Sequence, residues 1–175
     1  WFHLGEGSHL FYMLCLADPT DSKFIDRAQR FAGLYLNENP SVKNYDSDRK
    51  LILNTRTGSS GPLPWIPEQP WEYVWTIEHY GLPFYDIPGI ADYADLNTGN
   101  NMKEMAAVAH ARWGRGDGPI NLAVTSLMLN AFLATGEDKY RHWITEYTNA
   151  WINRVQENEG ILPDNVGLSG KIGEY

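Results

Sequence analysis

The segment 118–158 constrains the fold most, because it contains two adjacent helical patterns of opposite character. In its first half, apolar residues from Ile120 to Leu133 occur on almost every side of a helix, which is typical of a buried helix. In its second half, apolar residues recur at helical spacing and form one stripe. The residues of this stripe are Tyr140, Trp143, Ile144, Tyr147, Trp151 and Val155. The segment therefore predicts a buried helix followed by an amphipathic partner.

The N-terminal part of the chain repeats this pattern. Residues 8–17 are apolar on nearly every side, and residues 21–39 place apolar side chains on one stripe. The connecting turns also match, since residues 16–24 resemble residues 133–140 with one residue deleted. Self-similarity over so long a period indicates a repeat architecture.

A third and poorer copy lies between these two helical hairpins, with residues 71–81 as its inner helix and residues 101–114 as its outer helix. We therefore expect three hairpins and no substantial sheet, with an ordinary helical bundle as the alternative. The helices are predicted at residues 8–17, 21–37, 71–80, 101–113, 119–135 and 138–157. Of these, the helices at 8–17 and 119–135 should be the most buried.

The composition favours a single domain over residues 1–175 and disfavours several kinds of partner. The formal net charge of −8 argues against nucleic acids and anionic membranes, and no apolar stretch is long enough to cross a bilayer. Cys15 is the single cysteine and has apolar neighbours, so we expect a buried thiol and no disulfide framework. Because the sequence starts with Trp1 and stops within GKIGEY, we expect a piece of a longer polypeptide.

Two long loops are rich in aromatic residues. Residues 40–70 and 81–99 lack a helical period and contain many Gly and Pro residues. Their aromatic content argues against disorder, and long loops in a compact domain are often functional. If the hairpins stand side by side, every segment that enters an inner helix lies at the same end. Carboxylates and aromatic rings then collect at that end, which favours a sugar site with paired carboxylates for acid–base chemistry.

This organisation resembles the six-hairpin (α/α)-toroid proteins that act on carbohydrates, which include glycoside hydrolases, unsaturated glucuronyl hydrolases and polysaccharide lyases. The resemblance covers most of the chain and rests on its hairpins and loops. It implies an all-α fold in which the three hairpins make up half of a toroid, with the site in a cleft where the chain enters the inner helices. No motif that is diagnostic of one family is matched, so no catalytic residue is transferred from the group.

The candidate site residues belong to the segments that enter inner helices or lie beside them. Acid–base chemistry is expected from the carboxylates of Glu6, Asp46, Asp117 and Asp164. Substrate binding is expected from His9, Trp65, Trp71, Glu72, Arg115 and Asn165.

Structural roles compete with several of these assignments. Asp117 precedes Gly118 and Pro119, and an acidic residue there would stabilise the start of a helix. Glu6 could likewise cap a helix. Asp46 could lie in a solvated loop, Asp164 with Asn165 could simply turn the chain, and the tryptophans could belong to the core.

No metal or other cofactor is expected. The sequence has no cluster of Cys and His that would form a zinc site. Asp92, Asp95 and Asn97, followed by Gly99, weakly resemble a calcium loop, but the EF-hand spacing is absent, so Ca²⁺ remains a weak alternative.

The main functional hypothesis is an enzyme that cleaves glycosidic bonds in an oligo- or polysaccharide by carboxylate acid–base chemistry. The alternatives are a non-catalytic helical-repeat or sugar-binding module, a polysaccharide lyase, and a toroid enzyme that acts on an apolar substrate. The remaining part of the toroid or a second chain is the expected protein partner. Polysaccharide degradation would fit a periplasmic or extracellular location.

Overall fold

The computed structural model describes residues 9–38, 43–53, 57–58, 61–62, 81–113 and 116–174. The chain forms two compact units, each with its own hydrophobic core. The first unit combines Trp1–Leu63 with Arg115–Tyr175, and the second is Pro64–Gly114. The prediction of one domain over residues 1–175 stays a prediction.

The described part of the chain is mostly helical, as predicted. The α-helices are α1 (His9–Ala17), α2 (Ser22–Gly33), α3 (Asn101–Trp113), α4 (Val124–Thr135) and α5 (Asp138–Glu157). Short 3₁₀ helices span Ala94–Asn97 and Pro119–Ala123. Five of the six predicted helices are thereby confirmed, and the sixth, at residues 71–80, lies outside the described residues.

Local sequence signals account for the helix ends. The carboxylate of Asp21 accepts hydrogen bonds from the backbone N–H groups of Lys23 (2.8 Å) and Phe24 (3.4 Å), which caps the start of α2. Helix α4 ends at Gly136, whose φ of 72° is left-handed and whose N–H bonds to the carbonyl of Phe132.

The described strands are short and antiparallel. Strand β1 (Tyr45–Asp46) pairs with β2 (Leu51–Ile52), so that Tyr45 lies opposite Ile52 and Asp46 opposite Leu51. Strand β3 (Thr57–Gly58) pairs with β4 (Gly61–Pro62). These two-residue pairs agree with the expectation of no substantial sheet.

The core of the first unit is built around the aromatic stripe of α5. As predicted, Tyr140, Trp143, Tyr147 and Trp151 are buried. The rings of Trp143 and Tyr147 stack with their centroids 4.7 Å apart, and Tyr45 packs on Trp143 at 5.2 Å. The β1–β2 hairpin therefore packs against the same aromatic stripe as the helices.

The prediction that the helix at 8–17 is among the most buried is wrong. On α1, the large apolar side chains of Leu10, Met13, Leu14 and Leu16 are exposed, whereas Cys15 is buried and free, as predicted. Among the described helices, α1 packs against α2 and α4, so only one of its sides is covered. Because α1 is apolar on nearly every side, its sequence could not show which side packs against the other helices.

The first and last predicted hairpins pack against each other within the first unit. Helix α4 packs against α5 and directly against α2, so the first and last predicted hairpins are neighbours. The helix of the middle predicted hairpin that is described, α3, belongs to the second unit. There it packs on the 3₁₀ helix Ala94–Asn97, and Met105, Ala106 and Ala109 form its buried side.

The core of the second unit is closed by side chains that precede α3. Its buried residues are Leu82, Ile87, Ile90, Leu96 and Met105. Arg112 on α3 makes two hydrogen bonds to the Asp86 carboxylate, at 2.8 and 2.6 Å, and its guanidinium lies 4.6 Å from the ring centre of Phe84. This ion pair links α3 to the loop that contains Asp86. Because it is exposed, it contributes little to stability.

Candidate functional site

Three loop segments that contain predicted site residues are joined into one structure, which we call the loop layer: residues 45–52, 116–118 and 165–173. Asp117 and Val166 bond to each other in both directions, with both N···O distances at 2.8 Å. Val166 forms a further antiparallel bridge with Ile172. The β1–β2 hairpin is attached through the N–H of Ile52, which donates to Oδ2 of Asp117 at 3.0 Å.

The close approach of residues 116–117 to Val166 in the loop layer requires glycine at position 116. Gly116 has a φ of 82°, and a Cβ there would overlap the carbonyl oxygen of Val166. Both the left-handed backbone and the lack of space exclude a larger residue without rearrangement. This glycine therefore sets the position of the adjacent Asp117.

Asp117 is the centre of the loop layer, and it is fully buried. Its Oδ1 accepts hydrogen bonds from Nδ2 of Asn121 at 2.8 Å and from the hydroxyl of Tyr147 at 3.0 Å. The same hydroxyl lies 3.0 Å from Oδ2, which also accepts the N–H of Ile52. One carboxyl group thus connects the hairpin, the start of the 3₁₀ helix and α5.

Burial dominates the electrostatics of Asp117. Loss of hydration raises the pKa of this carboxyl from 3.8 to about 6, and the hydrogen bonds from Asn121, Ile52 and Tyr147 only partly oppose that effect. No ion pair to Asp117 is found among the described residues; the nearby Arg154 lowers the pKa only through its field. Burial also raises the pKa of the Tyr147 hydroxyl, which therefore stays neutral and can either donate or accept.

Two arginines fasten the hairpin to its surroundings. Nη2 of buried Arg154, on α5, donates to the carbonyls of Arg49 (2.8 Å) and Lys50 (3.0 Å). Arg49 in turn bonds to the carbonyl of Ser169 (3.2 Å) and to the carboxylate of Asp46 (2.9 Å). The turn between β1 and β2 is therefore linked both to α5 and to the C-terminal segment.

Asp46 has a local structural partner at each oxygen. Its Oδ1 accepts the N–H groups of Asp48 (2.9 Å) and Arg49 (3.0 Å), and its Oδ2 accepts the guanidinium of Arg49. These bonds, led by the one from the backbone of Arg49, lower the pKa of the Asp46 carboxyl. Asp46 is therefore ionised at neutral pH, and its carboxylate remains partly accessible, with 17% of the side chain exposed.

The other predicted site residues fall into three groups. Asp164 is exposed and Asn165 is buried, and both belong to the segment that enters the loop layer. His9 is exposed at the first residue of α1. Five residues lie outside the described part of the chain: Glu6, Trp65, Trp71, Glu72 and Arg115. The structure thus brings together the segments that carry Asp46, Asp117 and Asp164, and their catalytic roles stay predictions.

Sequence reasoning missed three polar residues that bond to the loop layer from outside it: Asn121, Tyr147 and Arg154. Tyr147 was placed only in the apolar stripe of α5, although its hydroxyl bonds to Asp117. Arg154 follows that stripe at helical spacing, three residues after Trp151 and seven after Tyr147. A basic residue at such a position was a usable signal of a buried polar contact.

The weak calcium candidate is a self-capped turn. Asp92 accepts the N–H groups of Ala94 (2.8 Å) and Asp95 (3.2 Å), while Asp95 accepts those of Ala91 (2.8 Å) and Asp92 (3.1 Å). Within the described ranges, no group of three or more His, Cys, Asp or Glu side chains is arranged to hold a metal ion. None of the helices described is both long and apolar enough to pass through a bilayer.

Comparison with curated proteins found no match, and comparison with solved structures also found none. A family model described as "Domain of unknown function (DUF8034)" matches residues 1–175. Since the match spans the whole sequence, the chain belongs to the DUF8034 family.

Proposed function

We propose that the chain is part of a carbohydrate-active enzyme that cleaves glycosidic bonds by carboxylate acid–base chemistry. The observation that carries the proposal is the loop layer. It joins the loops bearing Asp46, Asp117 and Asp164 beside the segment through which the chain enters α4. Neighbouring helical hairpins support an (α/α)-toroid arrangement as part of the same proposal.

The environments of the carboxylates suggest different roles. Asp46 is held ionised by Arg49 and backbone N–H groups, which suits a carboxylate nucleophile better than an acid. Asp164 is exposed and can reach a bound sugar, and Glu6 remains a further candidate. Asp117 has no exposed surface, so we assign it to holding the loop layer together; direct contact with a sugar would require the β1–β2 hairpin to open.

In such a reaction, one carboxylic acid protonates the glycosidic oxygen while a second carboxylate attacks the sugar or activates water. The exposed rim of the loop layer is the expected position of the cleft, because the buried centre has no room for a sugar. Predicted platforms such as Trp65 would stack on the ring of the substrate.

The test is a set of variants of the full-length protein, Glu6→Gln, Asp46→Asn and Asp164→Asn, assayed on neutral and uronate-containing oligosaccharides. Loss of an acid or base should lower turnover by about 100-fold or more with folding intact. The matched control is Asp48→Asn, because Asp48 is exposed and lies only two residues from Asp46. Wild-type turnover in all three variants would overturn the assignment of the site.

A non-catalytic sugar-binding module is the second candidate. The observation in its favour is that the carboxylates of Asp46 and Asp117 already have partners within the protein. If the wild-type protein binds glycans in calorimetry but no product appears on prolonged incubation, the binding module is the better description.

A further inference from the structure

Helix α1 presents an apolar surface to solvent, which we call the α1 face: Leu10, Met13 and Leu14. These side chains are 75%, 62% and 52% exposed, respectively. Met13 and Leu14 lie three and four residues after Leu10, so the three side chains lie on one side of the helix. Helix α1 contains no Asp, Glu, Lys or Arg, and nothing in its sequence adapts this side to water.

The internal repeat shows what such a surface is used for. The turn alignment relates position 16 to position 133, so Leu10, Met13 and Leu14 correspond to Leu127, Asn130 and Ala131 of α4. Those three residues of α4 are only 1%, 5% and 0% exposed. Nδ2 of Asn130 approaches the sulfur of Cys15 at 3.6 Å, so this stripe of α4 faces the preceding hairpin.

Helix α2, on which α4 packs, corresponds to α5 in the repeat. Ala28 and Ala32 of α2 are fully buried, and Gln29 beside them bonds to Glu137 (2.7 Å) at the start of the last hairpin. After the one-residue deletion, these alanines correspond to Ile144 and Thr148 of α5. Together with Ile152 one turn later, these two residues form a partly exposed row that we call the α5 stripe.

We propose that the α1 face of one copy of this chain docks on the α5 stripe of a second copy, reproducing the contact between α4 and α2. Each copy has one α1 face and one α5 stripe, so the copies associate head-to-tail. Because every added copy leaves one surface of each kind unoccupied, further copies can be added at either end. The absence of charge on the α1 face is important because the chain carries a net charge of −8 and would repel itself across most other surfaces. The proposal is independent of the proposed reaction, since association is measured without substrate.

The test is sedimentation of the chain from low micromolar to several hundred micromolar concentrations. Wild type should associate as concentration rises, whereas Met13→Glu and Thr148→Glu should each remain monomeric. An equimolar mixture of these two variants should form a dimer and nothing larger, because each variant retains the surface that the other has lost. The control is Leu133→Glu, which corresponds to Leu16; both leucines are exposed, so this variant should associate like wild type.

Circular dichroism of each variant separates loss of association from loss of folding. A wild-type chain that is monomeric throughout the range would overturn the proposal and would indicate that another segment or another protein covers the α1 face. Association that Leu133→Glu abolishes as effectively as Met13→Glu would also overturn it, because the contact would then be unspecific.

Discussion

Asp117→Asn should remove a pH dependence from the stability of the first unit. In the wild-type protein, burial raises the pKa of Asp117 from 3.8 to about 6. The folded protein therefore binds this proton more tightly than the unfolded chain. Between about pH 4 and pH 6, the titration of Asp117 should lower the free energy of unfolding by about 3 kcal/mol as the pH rises. Above about pH 6, Asp117 is ionised in both states and should cause no further change.

The variant replaces this dependence with a constant cost. The amide of an asparagine is neutral throughout this range, but its Nδ2 cannot accept the hydrogen bonds that the carboxylate accepts. One buried donor, from Asn121 or from the backbone of Ile52, then loses its acceptor, which costs about 1–3 kcal/mol. Asp117→Asn should therefore be less stable than wild type near pH 4 and close to it near pH 7.

Urea unfolding followed by tryptophan fluorescence, at constant ionic strength from about pH 4 to pH 7.5, measures the difference. The wild-type curve alone is not sufficient, because Asp46 and Asp95 have lowered pKa values and contribute stability that is lost as the pH falls. Subtracting the variant isolates Asp117. The control Asp164→Asn, at an exposed position next to the loop layer, should run parallel to wild type. A difference between wild type and Asp117→Asn that does not change with pH would refute the argument.

Two further substitutions test the loop layer. Tyr147→Phe removes the hydroxyl that bonds to both oxygens of Asp117, and urea unfolding should show a loss of about 1–3 kcal/mol. Gly116→Ala should lower the thermal midpoint more than Gly136→Ala does: both glycines have positive φ, but only at Gly116 would the new Cβ meet the backbone of Val166. Equal shifts for the two alanine variants would show that the contact with Val166 is unimportant.

The amino-acid sequence by itself determined the helices of this protein. The apolar stripe of α5 and the apolar pattern of α4 depend only on the spacing of side chains along one helix, and capping signals such as Asp21 and Gly136 are also local. Such features depend on neighbours within a few residues, so the pattern is sufficient to place them. The self-similarity of the two hairpins likewise predicted that they are equivalent units.

The tertiary structure alone decided which surfaces of those helices meet. An evenly apolar helix such as α1 gives no indication of its covered side, and so its predicted burial was wrong. The position of Asp117 next to glycine and proline suggested a helix start, whereas its burial depends on Ile52 and Tyr147, which are distant in sequence. Contacts of this kind arise from packing between separate elements, and the periodicity of a single segment contains no information about its partners.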